Sequence, residues 1–328
     1  MSLQMQAVQV HRHGGPEVLA YGPLPLPQPG PGEVRVRQTA IGLNYADVYQ
    51  REGEAGPHAT GSFPFIPGSQ GAGVIQALGP DVAGWHEGDA VGYIHGNTYA
   101  EAVCVPAARL VRLPPELPAE LAAAFLLRGL TAEYLLHRLY AVAPGDAVLV
   151  HAAAGGMGEV LCQWARALGA TVIGTVGGPA KMDVARAHGC HHVVDYREAG
   201  WPDAVLALTQ GQGVAVVYDA VGKDVFVDSL ACLRTRGMAI SYGTASGNVE
   251  GFALQRLHAK SLSVCRPTLR SFIATPQELQ AAAARFTQAL AQGAVRLAVS
   301  RRYALADVRQ AHADLQARVT TGAAILVP

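Results

Sequence analysis

The chain has 328 residues, half of them hydrophobic, and its 25 basic and 25 acidic side chains leave no net charge. That length is about twice that of a typical domain, so two domains are expected. Neutrality argues against nucleic-acid or anionic membrane partners, and no apolar run reaches the roughly 18 residues of a membrane span. The first ten residues do not resemble a targeting peptide, and the five cysteines are scattered. We therefore expect a cytoplasmic protein with a small-molecule partner.

The first third of the chain, about residues 5–115, alternates short β-like runs with turns rich in glycine and proline. Examples of the runs are MQAVQV, EVRVRQTAIG and AGVIQALG, and a typical turn is PLPQPGPG. This rhythm predicts an irregular antiparallel β-barrel.

From Asp146 onward, apolar strand runs alternate with helical segments. The strand runs are AVLVHA, TVIGTVG, HHVVDY, AVVYDAVG and GMAISYG. Such alternation predicts a parallel, doubly wound sheet covered on both faces, an architecture that binds nucleotides. Beyond about residue 270, two helices and two strands follow. They either complete this sheet or return to the first domain, and periodicity leaves both open.

The stretch HAAAGGMG follows the first of these strands and precedes a helix. It aligns with the dinucleotide fingerprint G-x-G-x-x-G, with Gly155 and Gly158 at the second and third glycines and alanine at the first. The second strand ends about twenty residues later, as the fingerprint requires. A cofactor loop is favoured over the alternative, a glycine-rich turn that binds nothing.

The end of the second strand, TVGGPAK, indicates which dinucleotide is bound. NAD enzymes usually place an acidic residue there for the ribose 2′-hydroxyl, whereas a 2′-phosphate needs a cation instead. Gly177 and Gly178 occupy the tip, Lys181 follows, and Tyr196 and Arg197 end the third strand. The pattern favours NADPH over NADH, although Lys181 could also be an ordinary solvated lysine.

With these residues in view, the chain resembles the zinc-independent NADPH:quinone oxidoreductases of the medium-chain dehydrogenase/reductase superfamily, the group that contains ζ-crystallin. The resemblance runs nearly end to end, through HGGPEVL, AIGLNYADVYQREG, FIPGSQGAG, RGLTAEYLL, HAAAGGMG, VVYDAVG, SYG, RPTL and RVTTGAAILVP. It implies an α/β protein with a GroES-like barrel from residues 1–127 and 270–328 and a Rossmann domain from 128–269. It also implies a homodimer whose Rossmann sheets join at an edge strand, through SLSVCRPTL.

The resemblance further implies which residues form the site. Asn44 and Tyr49 are the expected catalytic residues, at the nicotinamide end of the cleft. The expected cofactor-binding residues are Thr131, Tyr134, Gly155, Gly156, Met157, Gly158, Gly177, Lys181, Tyr196, Gly243, Thr244, Pro267, Thr268 and Arg318. Tyr49 and Tyr134 could instead be packing aromatics, and Arg318 a cation at a helix end.

Zinc is not expected. Related alcohol dehydrogenases bind catalytic zinc through an early cysteine and a G-H-E segment, where this sequence has Asn44 and then Ser69-Gln70. Without thiolate and imidazole ligands at these places, a tetrahedral zinc site cannot be assembled.

The expected reaction is hydride transfer from NADPH to a small quinone, because the cofactor carries the reactivity and the protein supplies orientation. An alternative acceptor is the conjugated double bond of a 2-alkenal or enone. A further alternative is a non-catalytic protein that binds NADPH or RNA. The segment REGEAGPHATGSFPF is longer than expected and lies near the substrate mouth, so it bears on specificity.

Overall fold

The structure is a computed structural model that describes residues 3–53, 62–115, 117–317, 319 and 322–328. The chain folds into two compact units. The first unit comprises Met1–Gly129, Ile273–Thr287 and Leu297–Pro328, and the second comprises Leu130–Phe272 and Gln288–Arg296.

The strands, numbered in chain order, are β1 (Gln4–Val10), β2 (Leu19–Pro25), β3 (Glu33–Gly42), β4 (Gln70–Leu78), β5 (Ala90–Ile94), β6 (Ala102–Pro106), β7 (Leu110–Arg112), β8 (Ala147–Val150), β9 (Thr171–Val176), β10 (His192–Asp195), β11 (Val214–Asp219), β12 (Leu233–Ser241), β13 (Ser263–Cys265), β14 (Val299–Ala304) and β15 (Ala323–Val327). The α-helices are α1 (Tyr45–Glu52), α2 (Ala119–Tyr134), α3 (Gly156–Ala167), α4 (Met182–Ala187), α5 (Trp201–Leu208), α6 (Phe226–Cys232), α7 (Leu269–Phe272), α8 (Pro276–Ala291) and α9 (Val308–Gln316).

The first unit is built on a mostly antiparallel seven-stranded sheet in the order β14-β15-β3-β4-β5-β7, with β6 also pairing with β3. Strands β1 and β2 form a separate antiparallel pair. The last strand, β15, pairs antiparallel with β3, where Ile325 lies opposite Gly42. The C-terminal strands therefore return to the first unit, which decides between the two positions that periodicity left open.

The second unit contains a six-stranded parallel sheet in the order β10-β9-β8-β11-β12-β13. Every residue of β11 is buried, as expected for a central strand covered on both faces. The order corresponds to 3-2-1-4-5-6 within the unit, the arrangement in which dinucleotides bind where the strand order reverses, here between β8 and β11. The predicted fold class, a GroES-like barrel with a Rossmann sheet, is confirmed.

In the part of the chain that the structure describes, no helix is long and apolar enough to cross a membrane.

Candidate active site

The glycine loop joins β8 to α3 at the reversal of strand order. Gly155 precedes the helix in an extended conformation, and α3 begins at Gly156. A Cβ on Gly158 would overlap the carbonyl oxygen of Ala153 and lie 2.6 Å from its Cα, so only glycine lets the helix pack this closely on the turn. The first N–H groups of a helix have no partner within it, and here they follow directly on the loop. This end of α3 therefore offers backbone donors to an anion.

Ala152, which precedes the alanine at the first-glycine position, shows how the loop turns without that glycine. Its φ is +54°, in the left-handed region that costs an alanine roughly 1–2 kcal/mol. The loop is held in place by the N–H of Ala153, which donates to Thr175 O on β9 at 3.0 Å. The alanine thus takes the conformation that a glycine usually supplies.

The ends of β9 and β10 bring three predicted 2′-phosphate residues into one region. A Cβ on Gly177 would lie 2.8 Å from the Tyr196 hydroxyl, and one on Gly178 would overlap the Arg197 guanidinium. Lys181 ends the short helical turn Pro179–Lys181 that follows. The segment from residue 176 to 181 at the tip of β9 contains no acidic residue. Arg197, which the sequence places at the end of the third strand with Tyr196, has its guanidinium directly against this tip.

Asp195 is an acidic residue close to Arg197. It is buried at the end of β10 and accepts a hydrogen bond from the Arg197 backbone N–H at 3.0 Å. The Arg197 Nε lies 3.5 Å from the same carboxylate oxygen, while the Arg197 side chain is 60% exposed. Asp195 therefore orients Arg197 and leaves its guanidinium accessible to an anionic ligand.

The loops after β12 and β13 are tied together by Arg266. Its Nη1 donates to Ser241 O at 2.9 Å and to Gly243 O at 3.2 Å. Asp219, buried at the end of β11, accepts the N–H groups of Val221 and Gly222 at 2.7 and 3.0 Å. These bonds fix the loops that carry four predicted cofactor residues, namely Gly243, Thr244, Pro267 and Thr268.

Burial raises the pKa of Asp219 to about 6, although the two backbone N–H groups and Arg266 oppose the rise. Its carboxylate serves chiefly to organise the turn after β11.

Tyr134, also in the second unit, stacks on Phe272 with ring centroids 4.2 Å apart and planes 7° from parallel. The packing alternative for Tyr134 is thus realised for one face of its ring, and the nearby Thr131 is also buried.

In the first unit, Asn44 immediately precedes α1, and Tyr49 lies within that helix. The backbone N–H of Asn44 donates to the Asp47 carboxylate at 2.8 Å. The Asn44 side chain is 6% exposed, and within the described residues its Nδ2 has no hydrogen-bond partner. A buried amide without a partner costs about 1–3 kcal/mol, so its N–H groups are available to a ligand or a water molecule.

The GSQG segment lies beside the same helix. Ser69 Oγ donates to Asp47 Oδ1. Gln70 is fully buried, its Oε1 accepts the N–H of Leu127 at 2.7 Å, and its Nε2 has no partner among the described residues. Gly42 makes room for this side chain, because a Cβ there would lie 2.5 Å from Nε2. The segment therefore supplies one hydroxyl and one amide where the resemblance places zinc ligands in related enzymes.

The described residues contain no group of three or more His, Cys, Asp or Glu side chains that could hold a metal ion. Arg318 and residues 54–61 of the predicted specificity segment lie outside the described residues.

Three residues that shape the site were not singled out from the sequence, namely Asp47, Tyr99 and His312. Only the N-x-x-D spacing of Asn44 and Asp47, typical of a helix start, signals the first of them.

Comparison with known proteins agrees with this architecture. Residues 30–115 match the alcohol dehydrogenase GroES-like domain, and residues 156–288 match the zinc-binding dehydrogenase domain. A quinone oxidoreductase of Pseudomonas aeruginosa is 44% identical over 98% of this chain and 99% of its own length. A 2-haloacrylate reductase of a Burkholderia species is 38% identical over 99% of both chains. The crystal structure of Escherichia coli quinone oxidoreductase complexed with NADPH superposes with a TM-score of 0.94 at 38% identity, covering 98% of this chain and 100% of that one. The chain therefore belongs to the quinone oxidoreductases of the medium-chain dehydrogenase/reductase superfamily.

Proposed function

We propose that this protein is an NADPH-dependent reductase of small quinones that works without zinc. The observation that carries the proposal is the tip of β9, where two glycines replace the usual carboxylate and face Tyr196 and Arg197. Quinone as the acceptor rests on the relatives named quinone oxidoreductase. The catalytic domain is proposed to comprise residues 1–127 and 270–328, and the cofactor domain residues 128–269.

The residues of the second unit fit NADPH. When bound, the cofactor supplies a hydride from its nicotinamide ring. The backbone N–H groups of Gly156 and Met157 are placed to bind the pyrophosphate at the start of α3. Lys181 and Arg197 provide the cations for the 2′-phosphate. Asp195 holds Arg197 in position and keeps its own charge paired, so it does not repel the phosphate.

The residues of the first unit fit an acceptor oxygen better than a metal ion. Zinc takes thiolate, imidazole and carboxylate ligands, whereas Asn44, Ser69 and Gln70 present amide and hydroxyl groups. Both amide nitrogens, Asn44 Nδ2 and Gln70 Nε2, are buried donors without partners among the described residues. Asn44 is therefore proposed to donate a hydrogen bond to the oxygen that becomes negative during reduction, with Tyr49 nearby on α1.

A second acceptor class is an activated carbon–carbon double bond. The relative named 2-haloacrylate reductase is almost as similar to this chain as the quinone oxidoreductases of other bacteria. Turnover of 1,4-benzoquinone, 2-chloroacrylate and a 2-alkenal with NADPH separates the two classes. Failure to oxidise NADPH with any of them would favour the non-catalytic alternative.

The protein is further proposed to form a cytoplasmic homodimer through β13. This strand pairs with β12 on one side, ends the sheet on the other, and carries Val264 with 38% exposure. An exposed sheet edge is a template for pairing with a second strand. Sedimentation of the wild type and of Val264→Lys tests this: a monomeric wild type would contradict the proposal, and a dimer weakened in the variant would support it.

Cofactor choice is tested by titrating tryptophan fluorescence with NADPH and with NADH. Losing one charged hydrogen bond to the phosphate costs about 1.5–3 kcal/mol, so Lys181→Ala and Arg197→Ala should each weaken NADPH roughly tenfold or more and spare NADH. Arg186→Ala is the matched control, because this exposed arginine of the same unit pairs with Asp183. Equal affinity of the wild type for both cofactors would contradict the assignment of Lys181 and Arg197.

A further inference from the structure

A chain of hydrogen-bonded side chains runs behind Asn44 through the first unit. It links Ser69, Asp47, Tyr99, His312 and Arg51 in that order. Asp47, Tyr99, His312 and Arg51 are fully buried, while Ser69 is only half-buried. Burying ionisable groups costs free energy unless their hydrogen bonds are satisfied. A buried chain of four such groups therefore points to a functional role.

Arg51 fixes the donor directions in the chain from His312 to Asp47. Its Nη1 can only donate, and it lies 3.0 Å from His312 Nδ1, which must therefore accept. The neutral ring then carries its hydrogen on Nε2 and donates to the Tyr99 oxygen at 2.9 Å. Tyr99 in turn donates to Asp47 Oδ2 at 3.0 Å. Burial and the Arg51 charge lower the pKa of His312 to about 3, so the ring stays neutral.

The two oxygens of Asp47 are consequently not equivalent. Oδ2 accepts both the Tyr99 hydroxyl and the Asn44 N–H, whereas Oδ1 has Ser69 as its hydrogen-bonding partner. A proton on this carboxyl group therefore belongs on Oδ1, facing Ser69. In that form Ser69 Oγ accepts from Asp47, and its own O–H is free to donate elsewhere.

The carboxyl group of Asp47 takes up a proton near neutral pH. Burial raises its pKa to about 6, against the opposing effects of the Ser69, Asn44 and Tyr99 hydrogen bonds and the Arg128 charge. About one molecule in ten then carries the proton at pH 7. Arg51 and His312 face Asp47 only through Tyr99.

We propose that the Ser69 hydroxyl is the catalytic proton donor to the acceptor oxygen and that Asp47 is the positioning residue that replenishes it. The proposal rests on the proposed quinone reductase activity. Hydride transfer to a quinone leaves a hydroquinone monoanion that needs one proton. As the new O–H bond forms on the acceptor, the Ser69 O–H bond breaks and the Asp47 Oδ1 proton moves to Ser69 Oγ. Asp47 is left as a carboxylate and regains its proton from water through the half-buried Ser69.

The test compares two acceptors of nearly equal size, 2,5-dimethyl- and 2,5-dichloro-1,4-benzoquinone. The reduced dimethyl compound is the stronger base and depends more on a proton donor. Ser69→Ala should lower kcat/KM for the dimethyl compound roughly tenfold or more and change the dichloro value by less than about threefold. Ser69→Thr keeps the hydroxyl and should restore the dimethyl rate. Ser300→Ala is the matched control, because it removes a hydroxyl of the same unit that donates to Ala323 O.

Asp47→Asn tests the origin of the proton. The wild-type rate with the dimethyl compound should fall above about pH 6, and the variant should be slow with a flat pH profile. Infrared difference spectra, which need no turnover, should show a protonated carboxyl band that titrates near pH 6 and is missing from the variant. NADPH affinity should be unchanged in all variants.

The outcomes separate the two proposals. A wild type that reduces neither quinone contradicts the proposed function. A wild type that reduces both, with Ser69→Ala slowing both equally or neither, contradicts the proton-donor role. If Asp47→Asn fails to fold, the comparison of Ser69→Ala with Ser69→Thr still tests the proton-donor role of Ser69.

Discussion

Asp47→Asn should make the protein more stable than the wild type at neutral pH, and the gain should disappear in acid. The amide oxygen can accept from the Asn44 N–H and the Tyr99 hydroxyl as Oδ2 does, and the amide nitrogen can donate to Ser69 as protonated Oδ1 would. The substitution therefore preserves shape and hydrogen bonding and removes only the titration.

The magnitude follows from the pKa of Asp47, which rises from 3.8 to about 6 on folding. Between these values the folded protein binds a proton that the unfolded chain does not, so the free energy of unfolding falls as pH rises through this window. Above pH 6 the loss is complete. A rise of this size corresponds to about 3 kcal/mol, the most that Asp47→Asn should gain at pH 7.

Other buried groups also change the free energy of unfolding with pH, and some of them change it in the opposite direction to Asp47. Burial lowers the pKa of His151 and of His312 to about 3, so stability is lost as pH falls below 6.5 because the unfolded histidines take up protons. Asp219 behaves like Asp47. All three groups are present in both proteins, so their contributions cancel in the difference between wild type and variant.

The assay is urea denaturation of both proteins at intervals from pH 4 to pH 8. We expect the difference in unfolding free energy to grow in favour of Asp47→Asn from about pH 4 to pH 6 and then to level off. A difference that is constant with pH, or that grows in favour of the wild type as pH rises, would refute the reasoning, because Asp47 would then be ionised throughout.

Three further predictions concern packing and buried charge. Gly158→Ala should cost about 1–3 kcal/mol in urea denaturation and weaken NADPH binding, because its Cβ overlaps the preceding turn; a variant with wild-type stability and affinity would contradict this. Arg51→Met should cost about 1–3 kcal/mol by the same assay, because His312 Nδ1 loses its donor in a buried site; an unchanged free energy of unfolding would contradict it. Phe272→Ala should cost at least about 1 kcal/mol by removing the stack on Tyr134, and an unchanged urea midpoint would count against that contact.

The sequence predicts the fold class well because the two architectures differ in local period. Short runs punctuated by glycine and proline indicate the barrel, and alternating strands and helices indicate the parallel sheet. Periodicity identifies the buried face of a strand but not its neighbour. The pairing of β15 with β3 therefore needed the structure, as did the order of the parallel strands.

The candidate site also contains some residues that the sequence identifies and others that only the structure reveals. The glycine loop and the tip of β9 are local segments, so their glycines and Lys181 can be recognised in the sequence. The buried chain is not local: Tyr99 contacts Asp47 across 52 positions and His312 across 213, and Arg51 contacts His312 across 261. Nothing in a single sequence relates a histidine in α9 to an arginine in α1. The structure was required to show that both belong to one chain of hydrogen bonds that leads through Tyr99 to Asp47.

The residues at the zinc-ligand places suggest how the chemistry changes when a metal is not used. A catalytic zinc ion acts as a Lewis acid that stabilises a developing oxyanion by its positive charge. In the proposed mechanism Asn44 and Gln70 supply neutral donors that are weaker than a dication, and the Ser69 hydroxyl that delivers a proton compensates for the difference. Such a site favours acceptors whose negative charge is already delocalised, as in a quinone. If Asp47 replenishes the proton as proposed, the rate depends on its protonation, and the enzyme should reduce electron-poor acceptors over a wider pH range than electron-rich ones.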